Sequence, residues 1–180
     1  MRSVFSVWVQ NVPGVLSHVA GLLASRGYNV DSLTVGATED PKFSRMTIVL
    51  DVESRLVAQV EQQLQKLVTV VKTTNISHVD HIERDVAFVR VAAEPGERSK
   101  FLQIVQNFRD AGVDAAPKVV EIAPKTMLVE LVGRRATIDA FLDEIEPERI
   151  VSLTRSGCVA TVLGDGELLD KKRRLVAKND

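Results

Sequence analysis

The sequence has few of the residue types that form disulfides or bind metals. Cys158 is the one cysteine and there are three histidines among 180 residues. An internal disulfide therefore cannot form, and His78-x-x-His81 lacks the third and fourth ligands that a metal ion requires. We predict no metal site. The scarcity of cysteine fits a reducing compartment, so we expect the protein in the cytoplasm.

Long apolar runs and an excess of one charge are also missing. The 23 Lys and Arg residues nearly balance the 24 Asp and Glu residues, for a formal net charge of −1. No run approaches the ~18 apolar residues that cross a bilayer. The near-neutral charge provides no basic field for nucleic acid. We therefore expect neither a membrane nor nucleic acid as a partner.

No catalytic motif is present. The sequence contains no Gly-x-Ser-x-Gly, no phosphate-binding loop and no Gly-x-Gly-x-x-Gly. Paired carboxylates such as Asp143-Glu144 are predicted at an exposed helix end, where they are surface charge rather than an acid/base pair. We predict no catalytic residues and no cofactor in this chain. Hydrophobic residues make up 45% of it, enough for packed cores, and the combination is typical of a binding or regulatory protein.

The most informative stretch is residues 4–29, which predict a strand, a glycine turn, a helix and a second turn. Pro13 suits the first turn of a helix because its missing N–H leaves nothing unpaired. Gly14 leaves the backbone open at the end where free N–H groups and the helix dipole favour an anion. Gly27 is expected to form a left-handed cap, so the predicted helix covers 13–26. This turn is predicted to bind a carboxylate.

Asn11 and Asn29 flank that helix, and the distance between them bears on whether a ligand site is shared by two chains. A helix of this length, at about 1.5 Å per residue, separates them by roughly 20 Å, too far for one small molecule to contact both. If both bind one ligand, Asn29 must come from a second copy related by a two-fold axis. The alternative is that both are turn residues whose side chains bond nearby backbone. Spacing alone favours this alternative.

A repeat relates Pro13-Gly14 to Pro95-Gly96 and predicts an α+β fold with two ferredoxin-like βαββαβ domains. Each has an antiparallel sheet with helices on one face. We expect the first domain at 1–77, the second at 84–163 and a charged tail at 164–180. The predicted strands are 2–10, 29–38, 44–53 and 67–76, then 84–92, 113–122, 125–133 and 148–157; the predicted helices are 13–26, 54–66, 97–111 and 134–145.

The two units differ where a ligand would bind. Ala93 stands in place of Asn11, and Glu97-Arg98 stand in place of an apolar pair. A glutamate at a helix start would repel a carboxylate, so we expect no such site in the second unit. Strand 29–38 lies at a sheet edge in this fold. An exposed edge can pair with another chain, so we expect a homodimer joined through this strand.

A family resemblance favours ligand binding over the turn-residue interpretation of Asn11 and Asn29. Val-Gln-Asn-Val-Pro-Gly-Val-Leu at 9–16, followed by Arg-Gly-Tyr-Asn-Val at 26–30, resembles the ligand turn of ACT domains, which bind amino acids. The longer run at 27–35, with Asp40-Pro41 and Ser-Arg-Met-Thr-Ile at 44–48, resembles the regulatory small subunit of acetolactate synthase. The resemblance is close over the first 75 or so residues and extends to the rest in pattern only.

The resemblance implies an N-terminal ACT domain that holds a branched-chain amino acid, usually valine, at a dimer interface. The N–H groups from Gly14 to Leu16 would hold its carboxylate. The chain would activate a catalytic large subunit and confer feedback inhibition on it; thiamine diphosphate, Mg and FAD would belong to that partner. The implied ligand-binding residues are Asn11, Gly14, Val15, Leu16, Asn29 and Val30, with the side chains of Val15, Leu16 and Val30 lining an apolar slot.

Two further functions stay open at the level of sequence. One is a free-standing regulator that responds to an amino acid, for example in transcription. The other is an enzyme in its own right, which the absence of a catalytic set disfavours. Valine, leucine and isoleucine differ by a methylene or a branch point, worth only ~1–3 kcal/mol in a pocket. The effector is therefore predicted as a class, with valine first.

Overall fold

The computed structural model describes residues 1–164 and divides into two compact units. The first contains Met1–Ile82 and the described residues from Cys158 onward. The second is Glu83–Gly157. The predicted tail at 164–180 lies outside the described residues, apart from Gly164. No helix among residues 1–164 is long and apolar enough to cross a membrane.

The first unit has the predicted βαββαβ order, with an antiparallel sheet in the strand order β2-β3-β1-β4. Strand β2 is therefore an edge strand, as predicted. The helix α1 begins two residues later than predicted, because Gly14 has a φ of 85° and lies outside it. The elements are β1 Arg2–Gln10, α1 Val15–Ser25, β2 Asn29–Ala37, β3 Phe43–Asp51, α2 Ser54–Gln65 and β4 Val70–Asn75.

The core of this unit lies between the sheet and the two helices. Along β1, Phe5, Val7 and Val9 face the helices, since alternate residues of a strand share a face. Helix α1 buries Val15, Val19 and Leu23 at helical spacing. Burying an aliphatic or aromatic side chain of this size contributes about 1.5–3 kcal/mol. The position of α1 on the sheet is therefore set by packing.

The end of α1 directs the chain into β2. Gly27 has a φ of 69°, the left-handed conformation predicted for it. The Gly27 N–H donates to the Ala24 carbonyl at 3.0 Å and the Tyr28 N–H to the Leu23 carbonyl at 3.1 Å. These two bonds form a Schellman motif, which ends the helix and satisfies its last carbonyls. Asn29 follows immediately as the first residue of β2.

The second unit repeats the arrangement, with the strand order β6-β7-β5-β8. Its third predicted element was wrong in extent: β6 begins at Lys118 rather than at 113. Pro117 has no N–H to donate to a sheet, and only an isolated bridge from Ala115 to Gly133 precedes it. The elements are β5 His81–Ala92, α3 Arg98–Asp110, β6 Lys118–Ile122, β7 Thr126–Gly133, α4 Arg135–Asp143, a 3-10 turn Pro147–Arg149 and β8 Ile150–Arg155.

An unpredicted strand, β9 at Val159–Val162, is grouped with the first unit and pairs with β5, whose first residues lie in that unit. We call residues 158–162 the strap. Cys158 and Ala160 are buried in one apolar cluster with Val4, Val49 and Ile76. The strap therefore covers the sheet face opposite the helices, although the sequence analysis assigned these residues to the second domain.

Side chains of two strands also hold the strap in place through hydrogen bonds. On β2, Ser32 Oγ accepts from the Cys158 N–H at 2.8 Å, and Thr34 Oγ1 donates to the Cys158 carbonyl at 2.8 Å. On β3, Arg45 Nη2 donates to the Ala160 carbonyl at 3.3 Å and Thr47 Oγ1 accepts from the Ala160 N–H at 3.3 Å. Polar side chains on the sheet thus satisfy strap backbone groups that would otherwise be buried without partners.

Candidate functional site

The turn between β1 and α1 presents free backbone donors. Gly14 is the N-cap residue of α1, and neither a side-chain cap nor an acidic residue of the first turn competes for the helix end. Among the described residues, the N–H groups of Gly14, Leu16 and Ser17 have no hydrogen-bond acceptor, whereas the Val15 N–H, within the predicted range, donates to the Val12 carbonyl at 3.4 Å. The first N–H groups of a helix attract anions, because they are unpaired and lie at the positive end of the dipole. The turn can therefore hold a carboxylate.

Asn11 ties this turn to the one between β2 and β3. Its backbone N–H donates to the Lys42 carbonyl at 2.7 Å, and its Nδ2 donates to the Pro41 carbonyl at 2.9 Å. These bonds are the ones that the interpretation as a turn residue predicts. They also leave the Asn11 Oδ1 without a donor in the described part of the chain, so this oxygen can accept from an ammonium group.

Asn29 lies at the other end of the sheet. It pairs with Asp51, the last residue of β3, whereas Asn11 is bonded to Lys42, just before β3 begins. A nine-residue strand such as β3 spans roughly 26 Å at about 3.3 Å per residue. One protomer therefore does not bring Asn11 and Asn29 to the same small ligand.

The three apolar residues predicted to line a slot differ in how exposed their side chains are. Leu16 is 47% exposed and Val30 is 39% exposed, so both side chains are accessible. Val15 is 8% exposed and belongs to the core, because it shares the buried face of α1 with Val19 and Leu23. In this protomer the Val15 side chain therefore packs in the core, and its place in the slot stays a prediction.

The corresponding turn of the second unit is filled by its own chain. The Ala93 N–H donates to the Lys125 carbonyl at 2.9 Å, which matches the Asn11 bond to Lys42. Arg98, at the start of α3, donates from Nη2 to the carbonyls of Ala123 at 2.7 Å and Pro124 at 2.8 Å. The Arg98 guanidinium thus binds, in the second unit, the turn that corresponds to the one bonded by Asn11 in the first unit.

The charge of Glu97 is also neutralised locally, which the sequence analysis missed. Arg149 donates to both carboxylate oxygens of Glu97, from Nη1 at 2.9 Å and from Nη2 at 2.8 Å. This bond lowers the pKa of Glu97 and raises that of Arg149. Arg98 and Arg149 lie 25 and 52 residues along the chain from Ala123 and Glu97, so no local sequence pattern indicates these contacts.

One arginine on the strap-covered face of the first sheet has a shifted pKa. Burial lowers the pKa of Arg45, whose guanidinium lies 5.7 Å from the centre of the Trp8 ring. Arginine titrates far above neutral pH, so Arg45 keeps its charge and attracts the ring face. Among residues 1–164, no group of three or more His, Cys, Asp or Glu side chains is placed to hold a metal.

Two split βαβ units and a helix N terminus with free donors define the class of ACT-type α+β proteins. Two family models match this chain in sequence. The model described as an acetohydroxyacid synthase (AHAS) small subunit-like ACT domain covers residues 5–72. The model described as the small subunit of acetolactate synthase covers residues 84–163.

Individual proteins agree with these models. The chain is 35% identical over 170 residues to the acetolactate synthase small subunit of Haemophilus influenzae, covering 94% of this chain and all of that protein. It is 36% identical over 166 residues to the isozyme 3 small subunit of Escherichia coli, covering 92% and 98%. The crystal structure of the Thermotoga maritima small subunit superposes with a TM-score of 0.80 at 31% identity, covering 90% of this chain and 97% of that one. This chain belongs to the acetolactate synthase small-subunit family.

Proposed function

We propose that this chain is the regulatory subunit of a cytoplasmic acetolactate synthase, activating the catalytic large subunit and making it sensitive to a branched-chain amino acid. Its family membership supports the regulatory role. The observation that carries the effector site is the set of free N–H groups at Gly14, Leu16 and Ser17, next to the unused acceptor of Asn11. Thiamine diphosphate, Mg and FAD belong to the catalytic partner.

The effector site lies between two copies of the chain. The α1 turn of one protomer binds the ligand carboxylate, and Asn11 Oδ1 accepts from the ammonium group. Asn29 and Val30 come from the partner's β2, since one protomer holds them at the far end of the sheet. Exposed Leu16 and Val30 enclose the branched side chain. Edge-to-edge pairing of the two β2 strands joins the sheets and brings these groups together.

Regulation then follows from linkage. A ligand that contacts both protomers stabilises one arrangement of the dimer, whereas the large subunit is activated by another. Binding of the amino acid and activation oppose each other reciprocally, by about 1–3 kcal/mol in typical cases. Valine is the expected effector because the family resemblance implies it; leucine and isoleucine differ from it by a methylene or a branch point, worth only about 1–3 kcal/mol in a pocket.

Calorimetry and reconstitution test this function. We expect the purified chain to bind valine, leucine or isoleucine, and to raise the activity of the separately purified large subunit. The same amino acid should then inhibit the reconstituted complex. Copurification of DNA instead of the large subunit would favour a transcriptional regulator. Formation of acetolactate by this chain alone would show an enzyme.

A further inference from the structure

The second unit contains a cavity of about 290 Å³ between the start of α3 and the end of α4. Its floor is apolar: Ala93, Phe101 and Ile145 are buried, and Ile104 is half-buried. Ala92 lies at its edge. Small-molecule pockets begin at about 300 Å³ and are mostly apolar, with a few polar groups that fix orientation. The cavity has the size and lining for one compact aliphatic ligand.

The cavity results from a local difference between the two units. Helix α4 has 9 residues where α2 has 12, and the connection to the next strand runs over 144–149 instead of 66–69. In the first unit the Gln10 N–H donates to the Thr69 carbonyl at 2.8 Å and closes this end of the sheet. No matching bond joins the described Ala92 and Arg149. The longer connection therefore leaves the floor uncovered.

One wall of the cavity is a fixed ion pair. Arg149 binds Glu97 through two nitrogens and also donates from Nε to Glu146 at 2.5 Å. Bidentate pairing of this kind is geometrically specific. Two carboxylates match the single Arg149 charge, so this wall offers no free cation and carries one excess negative charge, on the exposed Glu146 side.

Two other charged residues line the cavity outside this ion pair, and one of them, Lys100, also contributes to the lowered pKa of Glu97. Lys100 on α3 and Glu144 at the end of α4 form no ion pair or hydrogen bond with the described residues. They carry opposite charges. A ligand carboxylate would match Lys100 and a ligand ammonium would match Glu144, whereas an acid or an amine alone would leave one of them unmatched. Lys100 and Glu144 therefore suit the two charged ends of a zwitterion.

We propose that this cavity is a second binding site, and that it takes a zwitterionic aliphatic amino acid within a single protomer. The apolar side chain lies on Phe101, Ile104 and Ile145, the carboxylate pairs with Lys100 and the ammonium pairs with Glu144. The site differs from the α1 turn in its elements and needs no second copy. It goes beyond the proposed function and does not rest on it.

Methyl NMR of the full chain with labelled isoleucines tests this site directly. On titration with L-leucine, L-valine and L-isoleucine, the methyl signals of Ile104 and Ile145 should shift and saturate with at least one of them, at a Kd of about 1 mM or tighter. Ile48, in the core of the first unit, reports separately on binding at the α1 turn. The same shifts should persist in Asn29→Ala, which alters only the first unit. Loss of inhibition in that variant therefore tests the α1 site separately.

Two variants and two analogues identify the ligand groups. Lys100→Glu should raise the Kd obtained from these shifts by at least about 10-fold, because it replaces a charge-matched hydrogen bond with repulsion. Ala92→Leu should block the edge of the cavity. Lys125→Glu, with the same charge change in the turn before β7, should bind as the wild type does. The analogues 4-methylpentanoate and 3-methylbutylamine should each bind at least about 10-fold more weakly than leucine.

Three results would overturn the proposal. One is the absence of saturable shifts at Ile104 and Ile145 with all three amino acids. Another is wild-type affinity in Lys100→Glu. The third is equal binding of leucine and its two analogues, which would indicate an apolar pocket with no recognition of charge.

Discussion

Replacing Gly14 with aspartate is expected to abolish inhibition of the holoenzyme by the branched-chain amino acid. The substitution places a carboxylate next to the N–H groups that would bind the ligand carboxylate, so repulsion replaces attraction. Hydrogen bonds to charged groups contribute about 1.5–3 kcal/mol each. Losing two of them should raise the half-inhibitory concentration by about 100-fold or more. Inhibition curves of the reconstituted enzyme measure this shift.

The matched control is Gly14→Asn. Gly14 has a φ of 85° and open space around its Cβ position, so both side chains cause backbone strain without a clash. Aspartate and asparagine are nearly the same size and both are enriched in this conformation. We expect Gly14→Asn to keep at least partial inhibition. Equal loss in the two variants would attribute the effect to strain and would contradict carboxylate binding at this turn.

Ending the chain after Gly157 is expected to destabilise the first unit strongly. It removes the four hydrogen bonds between the strap and the side chains of β2 and β3, and it uncovers the apolar face at Val4 and Val49. At about 0.5–1.5 kcal/mol for each bond, plus the lost burial, the cost is roughly 3 kcal/mol or more. Urea denaturation of the truncated chain measures it.

A chain that ends after Gly164 is the control for this truncation, because it keeps the whole strap. We expect its denaturation midpoint to stay close to that of the full chain. If the two truncations have equal stability, the strap does not stabilise the first unit, and its hydrogen bonds contribute nothing measurable.

The βαββαβ order was predictable because it depends on local signals. The Pro13-Gly14 turn before α1 and the glycine at its end both act within a few residues, and each appears in the structure where the sequence places it. The edge position of β2 followed from the fold class. The resemblance in the first 75 or so residues identified the family that the comparisons confirm.

The strap and the turn of the second unit were not predictable in this way. Residues 158–162 are held by Ser32, Thr34 and their neighbours on β3, more than a hundred residues earlier in the chain. A serine or threonine within a predicted strand does not indicate which distant group its hydroxyl will bond. Arg98 likewise bonds carbonyls on a distant turn. Long-range polar contacts of this kind have no periodicity to detect.

A mixed dimer tests the central claim, that one effector site is built from two protomers. Asn11→Ala and Asn29→Ala homodimers should each lose affinity at both sites, by roughly 10- to 150-fold for one hydrogen bond to a charged group. In a dimer with one chain of each kind, the two-fold axis places both substitutions in one site and leaves the other site wild type.

Calorimetric titration of the purified mixed dimer with valine is therefore the decisive measurement. The shared site predicts one ligand per dimer bound with wild-type affinity, although neither parent homodimer binds so tightly. If the mixed dimer binds valine no better than its parents, Asn11 and Asn29 do not serve one ligand across the interface. Both asparagines would then be turn residues only.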